Sequence, residues 1–179
     1  DGVQESYGAN AAFPIHTFVE KINELLSEVD DIFYGIGSDQ EIDGIITNYL
    51  SARQKNSHRG QKGFSSLRDP RPLVENLRMF KSDDEIKALK EAIHITDKGF
   101  QVAQSLTKPG LYEFQIQAAL ESEFRKLGSV RNGYPSIVAS GHNSCILHYT
   151  TNREKLKDGD LLLIDAGAEY DYFTADITR

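Results

Sequence analysis

The stretch that decides the fold is Leu161–Arg179, LLLIDAGAEYDYFTADITR. Apolar and polar residues alternate along it, which is typical of strands with one buried face. A two-residue turn at Tyr170-Asp171 would fold it into an antiparallel hairpin with Asp165 directly opposite Asp176. One face would then be entirely apolar, and the other would carry both aspartates. The pattern therefore predicts a half-buried hairpin with two adjacent carboxylates.

Two carboxylates at such close range repel each other, so something must offset their charge. A shared proton is one solution, and one or two divalent cations are another, since hard cations prefer carboxylate oxygens. The simpler alternative is that Asp165 and Asp176 are solvent-exposed on a one-sided sheet. Two carboxylates are also too few for a tight metal site, which would need further ligands.

Helices precede this hairpin in the second half of the chain. Ser82 and Glu85 form a capping-box pattern, and apolar residues at helical spacing then continue to about Leu106. A second helix is predicted over Tyr112–Leu127, followed by short β-like runs that include Ser136–Ala139 and Cys145–Tyr149. The second half therefore has an α+β fold, with helices first and a mostly antiparallel sheet after them.

The first part of the chain has a different order of elements. We predict a helix over Pro14–Ser27, a short strand over Asp31–Ile36 and a second amphipathic helix that includes Ile42 and Leu50. The stretch Gln54–Pro72 is polar, contains Gly and Pro and has no period, so it is expected to be a loop or an inter-domain linker. The sequence thus predicts parts of two domains.

Composition excludes several classes of protein. The chain has 20 Lys and Arg against 27 Asp and Glu, a net charge of −7, and no basic stripe, which argues against nucleic-acid binding. No apolar run approaches the roughly 18 residues of a membrane span. The only cysteine, Cys145, cannot form an internal disulfide, which favours a cytoplasmic setting, and its apolar neighbours predict an inert core position.

His148 is the histidine with the strongest case for a function. It lies in SGHNSCILHYT, on the expected strand after a glycine-containing loop. A structural hydrogen-bonding role is the simpler alternative for a single histidine in such a place. His142 and the remaining histidines have weaker cases.

The segments YPSIVASGHNSCILHYTTN and KDGDLLLIDAGAEYDYFTADITR resemble the catalytic domain of the pita-bread metallopeptidases, in particular aminopeptidase P (Xaa-Pro aminopeptidase). The resemblance extends upstream and covers nearly the whole chain. It implies that residues 1–53 are the C-terminal part of an α/β N-terminal domain, residues 54–80 a linker, and residues 81–179 the first half of a pita-bread catalytic domain. The chain is accordingly expected to be a fragment truncated at both ends.

The resemblance also implies a chemistry. Two divalent metal ions, usually Mn²⁺, would be held by five ligands, of which Asp165 and Asp176 are two and a His and two Glu are absent from this chain. A metal-activated water would attack the peptide bond before proline in peptides with proline in second position. His148 would help to hold the substrate and the tetrahedral intermediate, and Tyr134 would lie near the water. The parent is expected to be a cytoplasmic homo-oligomer, and this chain alone to be nearly inactive.

Two other functions fit the same residues. A prolidase has the same aspartate pair but cleaves only Xaa-Pro dipeptides. A pita-bread module that has lost catalysis and binds protein partners is the alternative from another class. The sequence also departs mildly from the family pattern, because Ala139 and Ser144 stand where Gly is usual and Pro135 follows Tyr134.

Overall fold

The computed structural model describes residues 2–57 and 66–179. The chain divides into two compact units at the junction of Phe80 and Lys81. No helix among the described residues is both long enough and apolar enough to cross a membrane.

The first unit combines helices with a two-stranded parallel sheet. The predicted helix over Pro14–Ser27 begins as a 3₁₀ turn, Ile15–Thr17, and only then becomes α-helical. The elements in chain order are α1 (Gly2–Tyr7), α2 (Phe18–Ser27), β1 (Asp31–Phe33), α3 (Gln40–Ser57), β2 (Ser66–Arg68) and α4 (Arg71–Met79).

The stretch that we predicted to be a loop is partly ordered into elements. Ile32 of β1 pairs with Leu67 of β2 in parallel register, and α4 follows directly. The loop prediction is therefore wrong for residues 54–57 in α3, residues 66–68 in β2 and residues 71–72 in α4. Pairing with the buried Ile32 suffices to order so short a strand as β2. The part of the predicted linker over residues 58–65 lies outside the described residues.

The second unit has the predicted α+β order. Its elements are α5 (Asp83–Leu106), α6 (Glu113–Lys126), β3 (Ile137–Ser140), a 3₁₀ helix (Gly141–Cys145), β4 (Leu162–Ala166), β5 (Glu169–Tyr170), β6 (Phe173–Thr174) and β7 (Ile177–Thr178). Strands β3, β4 and β7 form an antiparallel sheet with β4 in the centre, which confirms the antiparallel prediction.

Helices α5 and α6 pack closely and join the sheet through one core. The predicted capping box is present, since the Ser82 side chain accepts from the Glu85 amide and the Glu85 carboxylate accepts from the Ser82 amide. A Cβ at Gly99 would overlap the Phe124 ring, so glycine is required where the helices touch. Thr96 of α5 also accepts a hydrogen bond from the Ala168 amide at 2.9 Å, which ties the helix to the β4–β7 region.

Residues 162–178 form the predicted hairpin, here named the aspartate hairpin, but in a different register. Asp171 and Tyr172 form its turn with φ angles of 47° and 66°, as a type I′ turn requires. Asp165 consequently lies opposite Thr178 and not opposite Asp176. Because this shift moves the pairing by two positions, both aspartates stay on one face and become diagonal neighbours. The prediction of direct opposition is wrong, and the prediction of a shared face is confirmed.

Candidate metal centre

The two aspartates of the hairpin converge on the phenolic hydroxyl of Tyr134. This oxygen lies 2.6 Å from Oδ1 of Asp165 and 3.0 Å from Oδ1 of Asp176. Asp165 is half-buried on β4, and Asp176 is exposed just before β7. Three of the four residues that the sequence singled out therefore meet at one point.

The electrostatics of this cluster favour a bound cation. A phenol has one hydrogen to donate, so Tyr134 can satisfy only one of the two carboxylates at a time. Burial, reinforced by hydrogen bonds to Asp165 and Asp176, raises the pKa of Tyr134 well above its usual range, so the hydroxyl remains protonated at neutral pH. Two carboxylates then share one site. Their hard oxygen atoms are the ligands that divalent cations prefer.

Two glycines allow the cluster to form, and the sequence analysis missed both. A Cβ on Gly167 would overlap the carbonyl oxygen of Ala175 on the facing side of the hairpin and come within 3.1 Å of the Tyr134 ring. A Cβ on Gly133 would overlap the methyl group of Thr174. Gly133 also donates its amide to the Gly167 carbonyl at 2.9 Å, which holds Tyr134 against the hairpin. The available signal was Gly167, two residues after Asp165 in IDAGAEY.

His148 lies in an irregular segment, residues 141–152, here named the histidine loop. The predicted strand over Cys145–Tyr149 is wrong, because Gly141–Cys145 form a 3₁₀ helix and His148 follows in a turn with a φ of 55°. The prediction that Cys145 is a core residue is also wrong, since its side chain is exposed. His148 is exposed as well.

A cavity of about 250 Å³ brings the histidine loop and the aspartate hairpin together. Its lining includes Cys145 and His148 from the loop and Asp165 and Thr178 from the hairpin. Within residues 2–57 and 66–179, no cluster of three or more His, Cys, Asp or Glu residues is placed to bind a metal. Among the described residues, the aspartate pair therefore has no further ligand that would complete a metal site.

The pattern of metallopeptidase family M24 matches residues 87–179, which is more than half of the chain. This match spans the cluster, the cavity and all four candidate residues. The chain belongs to metallopeptidase family M24. The α+β unit described above is accordingly part of the pita-bread fold of this family.

Individual relatives agree with this assignment. The Xaa-Pro aminopeptidase of Escherichia coli K12 is 35% identical over all 179 residues, which are 41% of that protein. The solved structure of zinc-substituted E. coli aminopeptidase P with product superposes with a TM-score of 0.89 at 35% identity, covering 100% of this chain and 41% of that one. The Xaa-Pro dipeptidase of Pyrococcus furiosus is 31% identical over 118 residues, covering 66% of this chain and 33% of that protein. The chain therefore spans about two fifths of the length of the first of these relatives.

Proposed function

We propose that this chain is part of an Xaa-Pro aminopeptidase, a metal-dependent hydrolase that removes the first residue from peptides with proline in second position. The observation that carries the proposal is the convergence of Asp165 and Asp176 on the Tyr134 hydroxyl, beside a cavity that His148 also lines. The alignment with the E. coli Xaa-Pro aminopeptidase includes all of these residues, because it spans the whole chain.

Asp165 and Asp176 would hold the metal in this enzyme, together with a His and two Glu that the full-length protein would supply. Bound divalent cations would polarise the scissile carbonyl and activate water at neutral pH. The family resemblance favours two manganese ions as these cations. The E. coli aminopeptidase P structure with product is zinc-substituted. The two carboxylates fit such ions by their chemistry, because they are hard oxygen ligands that lie on one face of the hairpin.

The chain's own residues would orient the reacting groups. The Tyr134 hydroxyl contacts both carboxylates, so it can act as a hydrogen-bond donor beside the metal ligands. His148 lines the same cavity as Asp165 and is exposed, so its imidazole can donate to a substrate carbonyl. A donor there would stabilise the negative charge that develops on the carbonyl oxygen during attack.

The full-length protein, loaded with Mn²⁺, provides the direct test of this function. It should release the first residue of an Xaa-Pro-Yaa tripeptide and leave a matched Xaa-Ala-Yaa tripeptide intact. Equal cleavage of both peptides would contradict proline specificity. The 179-residue chain is the matched negative control, and we expect it to show no appreciable release, because two carboxylates do not complete a metal site.

A prolidase is the second candidate, favoured by the similarity to the Pyrococcus furiosus Xaa-Pro dipeptidase. The same assay separates the two functions when an Xaa-Pro dipeptide is added. Preference for the dipeptide would identify the full-length protein as a prolidase and not an aminopeptidase. A non-catalytic binding module is the third candidate, and fewer than about one divalent ion per full-length chain at saturation would favour it.

The proposal includes a setting for the enzyme. We propose a cytoplasmic setting, because the one cysteine of this chain has no partner within it for a disulfide. Homo-oligomeric assembly follows from the family resemblance, and size-exclusion chromatography with light scattering of the full-length protein tests it.

A further inference from the structure

Glu113, the first residue of α6, has a fully buried side chain. The carboxylate accepts five hydrogen bonds, and every donor comes from residues 140–154. Oε1 accepts from the Ser140 amide at 2.7 Å, the Ser140 hydroxyl at 2.8 Å and Asn143 Nδ2 at 3.2 Å. Oε2 accepts from the Tyr149 hydroxyl at 2.8 Å and the Glu154 amide at 2.9 Å. One side chain of α6 therefore contacts the histidine loop and the residues on either side of it.

The donors bracket His148 closely. Asn143 lies five residues before His148 in the 3₁₀ helix, and Tyr149 is its immediate neighbour. Asn143 also donates to the Tyr149 hydroxyl at 3.1 Å, so the two partners of Glu113 are joined to each other. In contrast, the residues between them, from Cys145 to His148, are exposed. The backbone that carries His148 is thus fixed from both sides by one buried carboxylate.

The charge of Glu113 matters to this arrangement. Burial alone raises the pKa of a carboxyl group, yet the hydrogen bonds from Ser140, Tyr149 and Glu154 outweigh burial and lower the pKa of Glu113 below its usual range. The side chain is therefore ionised at neutral pH. Hydrogen bonds to a charged acceptor are shorter and stronger than neutral ones, so an ionised Glu113 holds its partners in a more defined geometry than an amide could.

We propose that Glu113 is a positioning residue that sets the place of His148 relative to the aspartate pair. This inference rests on the proposed function, because it assigns Glu113 a role through the substrate contact of His148. Glu113 itself does not line the cavity that His148 and Asp165 share. Its effect on catalysis must therefore pass through the histidine loop.

A double-mutant cycle in the full-length enzyme tests the proposal. The variants are Glu113→Gln, His148→Ala and both together, assayed on an Xaa-Pro-Yaa peptide. Displacing a substrate-contacting group by about 1 Å can cost about 100-fold in rate, so we expect Glu113→Gln to lower kcat by about 10- to 100-fold. KM and metal content should change little. In the His148→Ala background, Glu113→Gln should have almost no further effect.

The matched control is Glu123→Gln on the same helix, a half-buried residue that forms an ion pair with Lys126 and does not contact the histidine loop. It should leave kcat unchanged in both backgrounds. An equal loss of kcat from Glu113→Gln with and without His148 would overturn the inference, since it would mean that Glu113 acts on the fold in general. If His148→Ala alone has no effect, the inference is overturned together with the proposed role of His148. An inactive wild-type enzyme would instead contradict the proposed function.

Tyr149→Phe keeps the test decisive if Glu113→Gln does not fold. This variant removes one of the five hydrogen bonds and leaves the buried carboxylate with four donors. We expect a smaller loss of kcat in the same direction, again absent in the His148→Ala background. An unchanged kcat for a folded Tyr149→Phe enzyme would overturn the proposal, and circular dichroism confirms folding of each variant.

Discussion

The aspartate hairpin and the histidine loop place their functional groups by different physical means. In the hairpin, strand pairing on either side of them determines the positions of Asp165 and Asp176, and the Tyr134 hydroxyl contacts both carboxylates. In the loop, no strand pairing reaches His148. Buried polar side chains hold the backbone instead, with Glu113 contacting the loop from α6 and Asn152 closing its end.

This difference means that the two regions should fail in different ways. A hairpin held by backbone pairing is sensitive to anything that separates its strands, and it tolerates changes on its exposed face. A loop held by buried hydrogen bonds is sensitive to the loss of a single acceptor or donor, since each buried partner left behind costs free energy. Substitutions in the two regions should therefore have different effects on stability and activity.

The largest effect is expected from removing one carboxylate of the pair. Asp165→Asn or Asp176→Asn in the full-length enzyme should reduce activity to background and lower the bound metal, because a neutral amide is a poor ligand for hard cations. Atomic emission spectroscopy of the purified variants measures the metal. Asp171→Asn, at the turn of the same hairpin, is the matched control. Asparagine tolerates its φ of 47°, so metal and activity should remain.

Next in size is the effect of Gly167→Ala, which tests whether close backbone contact holds the hairpin. The new Cβ would overlap the carbonyl oxygen of Ala175, and a backbone atom cannot move away without opening the strands. We expect a loss of about 3 kcal/mol or more in the free energy of unfolding, at the upper end of overpacking costs. Urea unfolding followed by circular dichroism measures it.

Gly133→Ala offers a comparison at a residue that packs against the same hairpin. Its new Cβ would meet the Thr174 side chain, which can be shortened. Stability lost in Gly133→Ala should return in part in the double variant with Thr174→Ala. No side-chain substitution should rescue Gly167→Ala in this way, and a rescue there would show that the backbone contact is not the cause.

Asn152 provides the corresponding test of the histidine loop. Its Oδ1 accepts from the buried Val138 amide at 3.0 Å, and its Nδ2 donates to Ser136 and Gln117 at 2.8 Å each. Asn152→Gly keeps the φ of 49° accessible but removes these bonds, so the free energy of unfolding should fall by about 1–3 kcal/mol. Asn152→Ala should lose about 1 kcal/mol more, since alanine disfavours positive φ. Equal stability of the two variants in urea would contradict a separate cost of the positive φ angle.

The smallest effect is expected on how steeply the free energy of unfolding falls with pH, through Glu113, which holds the histidine loop. The pKa of Glu113 is lowered in the folded state, because its hydrogen bonds outweigh burial. Its contribution to stability is therefore present above the unfolded pKa of about 4.3 and is lost as pH falls below that value. Glu113→Gln should flatten the acid limb of the unfolding free energy below about pH 5. Glu123→Gln on the same helix, which removes an ion pair with Lys126, should change that limb less than Glu113→Gln does.

The sequence predicted the hairpin more fully than the loop for a physical reason. The period of two placed Asp165 and Asp176 on one face, and the face does not depend on which residues form the turn. The turn itself was misplaced by one residue, because both registers separate apolar from polar residues equally well. The positive φ angles of Asp171 and Tyr172 are not encoded by a Gly or Asn that could be recognised.

The loop could not be predicted in the same way, because its stabilising contacts are long-range. Glu113 contacts Tyr149 across 36 residues, and in the sequence it resembles an ordinary acidic residue in the first turn of a helix. The apolar run around Ile146 and Leu147 suggested a strand, yet both side chains are exposed. Family resemblance identified His148, but only the structure shows which residues hold it.

One measurement tests the central claim, that Asp165 and Asp176 together hold the metal of a proline-specific aminopeptidase. Metal is stripped from the full-length enzyme with a chelator and then titrated back, while bound metal and release of the first residue from an Xaa-Pro-Yaa peptide are followed in the same samples. We predict that turnover rises with bound metal in the wild type and stays at background in Asp165→Asn and Asp176→Asn. Turnover by the stripped enzyme, or wild-type turnover in either variant, would contradict the claim.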